Sequence, residues 1–176
     1  MSSSPDPDWI RSIVHQYEGP LTLYATRLSG DVERARDVVQ DTFLKLWETD
    51  RAGVDGHLAP WLYTVCRNRA LDVRRKEQRM TTLNDQQMQR TAAPVPPPQD
   101  AGEAAREATG DMLVLISHLP ERQQEVVRLK FQGGLSYREI AEVMDTTANN
   151  VGVLLHTAIK TIRQTLADQA AAGSKA

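Results

Sequence analysis

Between residues 91 and 105 the chain reads TAAPVPPPQDAGEAA, which places Pro94, Pro96, Pro97 and Pro98 within five positions. Proline fixes φ and has no backbone N–H to donate, so neither a helix interior nor a paired strand can run through this stretch. It predicts an extended, flexible linker over 81–108. The chain is thereby cut into two halves, 1–80 and 109–176, the second with a short tail. Each is small for an independent hydrophobic core, at roughly 60–80 residues.

Both halves carry helical periodicity. In the first, DWIRSIVHQYEGPLTLYATRLSG opens with Asp8 as a possible cap, sets Trp9, Ile13 and Tyr17 on one stripe, and ends near Gly30. Gly19-Pro20 is expected to kink or break it. DVERARDVVQDTFLKLWE opens with Asp31 as cap and repeats apolar residues at Val32, Ala35, Val39, Phe43, Leu46 and Trp47. HLAPWLYTVCRNRALDVRRKEQR has Pro60 near its start, where the missing N–H costs nothing, and buries Leu62, Val65 or Cys66, and Val73. In the second half, DMLVLISHL stops at Pro120, and PERQQEVVRLKFQGG places Val126, Val127, Leu129 and Phe131 inside. SYREIAEVM begins with Ser136 and has Glu139 three residues on, the pattern of a capping box. DTTA breaks it, and a last helix spans about 148–167 with Val151, Leu154, Leu155, Ala158, Ile162 and Leu166 as its core stripe. Aromatic residues are only 5%, which disfavours a β-rich core. The predicted fold is all-α: two small helical domains joined by the proline-rich linker.

The formal net charge of −2 does not announce a nucleic-acid binder, but its distribution is uneven. Segment 31–50 has three basic residues against six acidic ones, whereas 66–80 has six basic against two acidic. An acidic helix followed by a basic one suggests two partners of opposite sign. SYREIAEVM, DTT and ANNVGVLLHTAIKTIRQTL have the proportions of a helix-turn-helix: a short helix, a tight break, a long helix. Spacing alone leaves this level with an ordinary antiparallel helix pair.

The residues themselves resemble a known family. LPERQQEVVRLKFQGGLSYREIAEVM followed by NVGVLLHTAIKTIRQTL is similar to the C-terminal domain of bacterial sigma-70-type factors. DVERARDVVQDTFLKLWE and PWLYTVCRNRALDVRRK resemble the N-terminal domain of that family. Two such blocks with only a linker between them resemble the small extracytoplasmic-function (ECF) group, over about residues 9–80 and 109–168. The resemblance implies a transcription initiation factor that binds core RNA polymerase through its beta-prime and beta subunits, directs it to specific promoters and helps melt the minus-10 region.

Roles follow from the resemblance residue by residue. Asp37, Gln40, Asp41, Phe43, Leu46 and Trp47 match the helix that docks on a coiled coil of the beta-prime subunit. An acidic rim around an apolar centre suits a basic, grooved partner. Phe43, Leu46 and Trp47 also read as core, and for Phe43 that reading is the stronger. For the minus-10 element, Asn68 matches the position used against a base flipped out of the non-template strand. An amide offers a donor and an acceptor side by side. Trp61 and Tyr63 could support stacking, although Trp61 reads equally as core. Arg67, Arg69, Arg74, Arg75 and Lys76 would hold phosphates, the competing reading being a solvated basic face.

For the minus-35 element, the candidates are Ser136, Tyr137, Arg138, Asn149, Asn150, Val153, His156, Thr157 and Lys160. Here the chain departs from the common pattern: Gly152, Val153 and Leu154 stand where many members carry Lys, Arg or Ser, and Thr157 and Ile159 where many carry Arg. The exposed side is expected to include Gly152. Amides can read adenine edges, and Val153 and Thr157 can touch thymine methyls. Few phosphates can be neutralised, so this domain is expected to select DNA without anchoring to it.

Other chemistry has little support. His15, His57, His118 and His156 show no ligand spacing, and Cys66 is alone, so no metal or other cofactor is expected. No nucleophile triad or phosphate-cradling Gly loop points to an enzyme or a small-molecule substrate. The start MSSSPDPDW lacks the features of a signal peptide, and no apolar run approaches the ~18 residues of a membrane span. A cytoplasmic location without membrane insertion is the expectation. An anti-sigma factor is a further partner the resemblance allows. The rival function is a stand-alone helix-turn-helix regulator independent of polymerase, against which the acidic and basic helices of the first half argue.

Overall fold

The computed structural model describes residues 6–83 and 103–173, and among these all regular structure is helical. The chain divides into two compact units, Met1–Ala93 and Pro94–Ala176.

The first unit is built from α1 (Pro7–Ser29), α2 (Val32–Glu48) and α3 (Leu58–Leu83), with a short 3₁₀ turn, Arg51–Gly53, between the last two. Each helix packs on the other two. The cap of α1 is Asp6, whose carboxylate accepts from the Asp8 N–H at 3.0 Å; Asp8, the residue expected in that role, instead pairs with Arg11. Nor does Gly19-Pro20 break the helix. Pro20 has no N–H for the Gln16 carbonyl, but Gln16, Gly19 and Pro20 all lie on the exposed side of the helix, while Leu21, Tyr24 and Ala25 are buried and hold it together. Gly30 ends it at φ 77°, donating to the Thr26 carbonyl. Asp31 starts α2 with extended backbone but makes no side-chain cap; its carboxylate lies 3.6 Å from Arg34.

Leu21, Ala25, Ala35, Val38, Val39, Leu46, Val54, Leu62, Cys66 and Ala70 form the core of this unit. Tyr24 meets Tyr63 edge-on, with ring centroids 5.2 Å apart. Val65 and Val73 are half-buried, so Leu62 and Cys66 supply the deep positions of α3.

The second unit contains α4 (Glu103–Ser117), α5 (Glu121–Phe131), α6 (Tyr137–Val143) and α7 (Ala148–Gly173). Helices α5 and α6 pack on α7, with Val126, Leu129, Leu135, Ile140, Val143, Val151, Leu155 and Ala158 inside. Phe131 is not among them: at the last position of α5 it is 66% exposed. Gly134 at φ 66° turns the chain so that Leu135 donates to the Leu129 carbonyl and takes the buried position. The capping box of α6 is present in both halves, Glu139 N–H to Ser136 Oγ and Ser136 N–H to Glu139 Oε2. In the break before α7, Asp145 adopts φ 50°, and the Thr147 hydroxyl accepts from the Asn150 N–H. Leu154 and Ile162 are only half-buried and Leu166 is exposed, so the buried stripe of α7 is shorter than its periodicity suggests.

Helix also occupies both ends of the stretch expected as linker. Helix α3 continues to Leu83, α4 begins at Glu103, and residues 84–102, which hold the prolines, lie outside the described residues. EAAREA and the MTTL end of α3 contain no proline, and residues 103–106 are strong helix formers. The run Ala170, Ala171 and Ala172 likewise carries α7 six residues past 167, through DQAAAG.

Candidate functional site

Three surfaces carry the candidate residues. On α2, positions 37, 40, 41, 44, 47 and 48 share one side of the helix at i, i+3, i+4 spacing. Asp37, Gln40, Leu44, Trp47 and Glu48 are exposed, Leu44 at 57% and Trp47 at 45%. Leu46 is excluded from this surface, being fully buried, and Phe43 is half-buried. The apolar centre of the acidic face is therefore Leu44 with Trp47. Leu44 lies off the inward stripe of α2, but the same helical period, counted from Asp37 and Gln40, marks it.

On α3 the candidates fall into three rows, each at a spacing of seven. Trp61, Asn68 and Arg75 form the middle row, with Arg69 and Lys76 on the flank nearer α2 and Arg67 and Arg74 on the other. They fan around the helix rather than share one flat face. Asn68, Arg69, Arg75 and Lys76 are exposed, and Trp61, Arg67 and Arg74 half-buried. Acidic residues are threaded among them: Asp72 lies 3.5 Å from Arg75, Glu77 pairs with Arg34 of α2, and Asp41 accepts from Arg69 at 2.7 Å. Tyr63 cannot stack on a base, because it is only 2% exposed against Tyr24. Burial pushes its phenol up to about 12, with Cys66 and Tyr17 adding to the effect. Burial likewise raises the Cys66 thiol to about 12, against an opposing hydrogen bond with Thr42. Such a thiol is a packed core group rather than a nucleophile.

On the second unit, Asn149, Val153, His156, Thr157 and Lys160 are exposed on one side of α7. Asn150 is half-buried and its amide donates to Thr146 Oγ1 at 2.9 Å, so one of its two amide N–H donors is committed to the turn. Gly152 does not lie on the open side. A Cβ there would sit 3.6 Å from Cε2 of Tyr137, whose ring covers the position while Lys130 lies 5.7 Å from its centroid. Ser136 and Arg138 are exposed at the start of α6, although the Ser136 hydroxyl is engaged in the capping box. Further along α7, a shallow groove of about 280 Å³ is lined by His156, Ile159, Lys160, Arg163 and Gln164. Arg163 and Gln164 were not among the expected residues; their place at i+7 and i+8 from His156 puts them on the same side. Among the described residues no cluster of His, Cys, Asp and Glu could hold a metal ion, and no helix is long and apolar enough to cross a membrane.

Comparison with known proteins places these surfaces in a family context. Residues 13–80 match the family model for sigma-70 region 2, and residues 110–162 match that for sigma-70, region 4. The chain is 28% identical over 163 residues to the ECF RNA polymerase sigma factor SigL of Mycobacterium tuberculosis, covering 89% of this chain and 88% of that protein. It is 24% identical over 172 residues to the ECF RNA polymerase sigma factor SigW of Bacillus subtilis, covering 93% and 91%. Among solved structures it resembles the sigma factor RpoE of Bartonella quintana, determined in complex with the anti-sigma factor NepR, with a TM-score of 0.71, 22% identity and 89% and 95% of the two chains covered.

Proposed function

The chain belongs to the sigma-70 family, in its extracytoplasmic-function group, and from that premise we propose how its surfaces divide the work of transcription initiation. It is an initiation factor that binds core RNA polymerase and directs it to specific promoters. The acidic face of α2, with Asp37, Gln40 and Asp41 around Leu44 and Trp47, is the polymerase contact. A carboxylate rim with an apolar centre gives orientation through charge and affinity through burial. The middle row of α3 meets the minus-10 element as it melts. Asn68 reads an unstacked base, Trp61 flanks it, and Arg67, Arg69, Arg74, Arg75 and Lys76 hold the strand by its phosphates.

The exposed side of α7 reads the minus-35 element. Asn149 offers an amide to base edges, Val153 a methyl surface, and His156, Thr157, Lys160 and Arg163 continue the stripe toward the groove rim. Ser136, Tyr137 and Arg138 flank it from α6. This reading gives Asn150 a structural part, holding the turn through Thr146. The chain works in the cytoplasm, where the polymerase and promoter are. An anti-sigma protein is a further partner class, since the similar RpoE was solved with one bound.

The observation that carries the proposal is the order of the two sigma regions in one chain, each with its exposed surface intact. A stand-alone regulator would need neither the acidic face of α2 nor the basic rows of α3. Run-off transcription with purified core polymerase tests it. Promoter-dependent transcripts should appear only with both components present, and their absence across a set of candidate promoters, together with failure to co-purify with core polymerase, would overturn the function.

A further inference from the structure

The surfaces proposed for polymerase and for minus-10 DNA touch each other. Arg69 Nε donates to Asp41 Oδ2 at 2.7 Å, joining α2 to α3 across 28 residues of sequence. The two side chains are 45% and 44% exposed, so both remain within reach of a partner. Their placement is fixed from behind. Val38, Thr42 and Leu46 of α2 and Leu62, Cys66 and Ala70 of α3 are buried in the core that all three helices share, Thr42 is hydrogen-bonded to Cys66, and a second bridge, Arg34 to Glu77, ties α2 to α3. The Asp41–Arg69 pair can therefore open while the helices stay packed.

We propose that the Asp41–Arg69 ion pair is a latch that couples polymerase docking to promoter binding. This rests on the assignment of α2 and α3 given above. In the free chain the carboxylate occupies the arginine that would meet a phosphate, and the arginine occupies the carboxylate that would meet a basic polymerase side chain. When polymerase takes Asp41, Arg69 is released to the DNA strand. Because coupling free energies are reciprocal, DNA that takes Arg69 frees Asp41 for polymerase to the same degree. An ion pair this exposed couples weakly, so the effect is about two- to fivefold and fades as salt rises.

The test uses the full chain with Asp41→Asn and Arg69→Gln, their thermal melts, and three binding measurements at low salt. One is the affinity of the free chain for a fluorescent single-stranded oligonucleotide carrying the minus-10 non-template sequence. The second is its affinity for core polymerase without DNA, and the third is the affinity of the holoenzyme for the same oligonucleotide. Asp41→Asn should tighten oligonucleotide binding by about two- to fivefold. Arg69→Gln, although it removes a cation from the DNA surface, should tighten polymerase binding by a similar factor. The two variants read the latch from opposite ends, so loss of fold in one leaves the other decisive. If neither affinity rises while Arg69→Gln weakens oligonucleotide binding by the holoenzyme, the latch is wrong and the surface assignment stands. If Arg69→Gln leaves holoenzyme binding to the oligonucleotide unchanged, the DNA assignment of Arg69 fails and takes the latch with it.

Discussion

At the residue scale, Gly152 is the clearest case of a position whose environment changes its meaning. Glycine inside a helix costs about 1 kcal/mol relative to alanine, and here it stands in the second turn of the helix proposed to enter DNA. The Tyr137 ring covers it, and an added Cβ would meet that ring at 3.6 Å, an ordinary contact. Gly152→Ala should therefore stabilise the second unit by roughly 0.5–1 kcal/mol, seen as a higher midpoint in denaturant unfolding. A lower midpoint would mean that the ring cannot accept the methyl group. Cys66 and Tyr63 support a second expectation. Both are held protonated by burial, up to about 12, whereas the unfolded chain releases those protons near 9 and 10. Their folded pKa values are raised, so the stability they contribute is fully present below about pH 8–9 and is lost as pH climbs toward 12. Melting temperature should fall between pH 8 and 10.5, and less steeply in Cys66→Ala than in the parent chain; equal slopes would remove Cys66 from the account.

At the element scale, α2 separates stability from binding within four residues. Leu44 and Trp47 are exposed, whereas Leu46 has no exposed surface at all. Truncating Leu46 to alanine should cost about 2–5 kcal/mol, from lost burial and the cavity left behind. Leu44→Ser and Trp47→Ser should leave the midpoint of unfolding within about 0.5 kcal/mol, as is usual for surface substitutions. Yet they should weaken association with core polymerase at least tenfold if they form the buried centre of that contact. Pull-down titrations with core polymerase beside denaturant melts distinguish the two effects. Wild-type polymerase affinity in both serine variants would move the contact off this face.

At the scale of the whole molecule, the charge balance of the second half bears on how promoter DNA is held. Residues 121–170 carry six basic and six acidic side chains. With no net positive charge, little is gained from counterion release, and binding should be no tighter than the ~10⁻⁴–10⁻⁶ M of non-specific contacts at physiological salt. On the proposed assignment of α7, selectivity at the minus-35 element should depend on polymerase and on the preceding unit to raise the local concentration of α7 at its site. The free full-length chain should show micromolar or weaker affinity for a minus-35 duplex, while Asn149→Ala alters minus-35 preference in run-off transcription. Nanomolar binding of the free chain would favour the stand-alone regulator instead.

Periodicity, caps and breakers are local, and they were sufficient for the all-α character, the end of α1 at Gly30, the capping box at Ser136 and the start of α7 near 148. Family resemblance in two blocks was likewise present in the residue order. What local signals could not carry was which side of each helix finds a partner. Pro20 reads as a break until burial of Leu21 and Tyr24 outweighs its lost hydrogen bond. Phe131 reads as core until α5 ends and leaves it in solvent, and Tyr63 reads as a stacking platform until Tyr24 covers it. Gly152 and Asn150 read as open until Tyr137 and Thr146 take them. The Asp41–Arg69 pair has no signature in either segment, because a contact between residues 28 positions apart exists only once α2 and α3 are packed. A sequence states its period, and with it the two sides of each helix; only the packed neighbours determine which exposed groups remain free for a partner and which are already occupied.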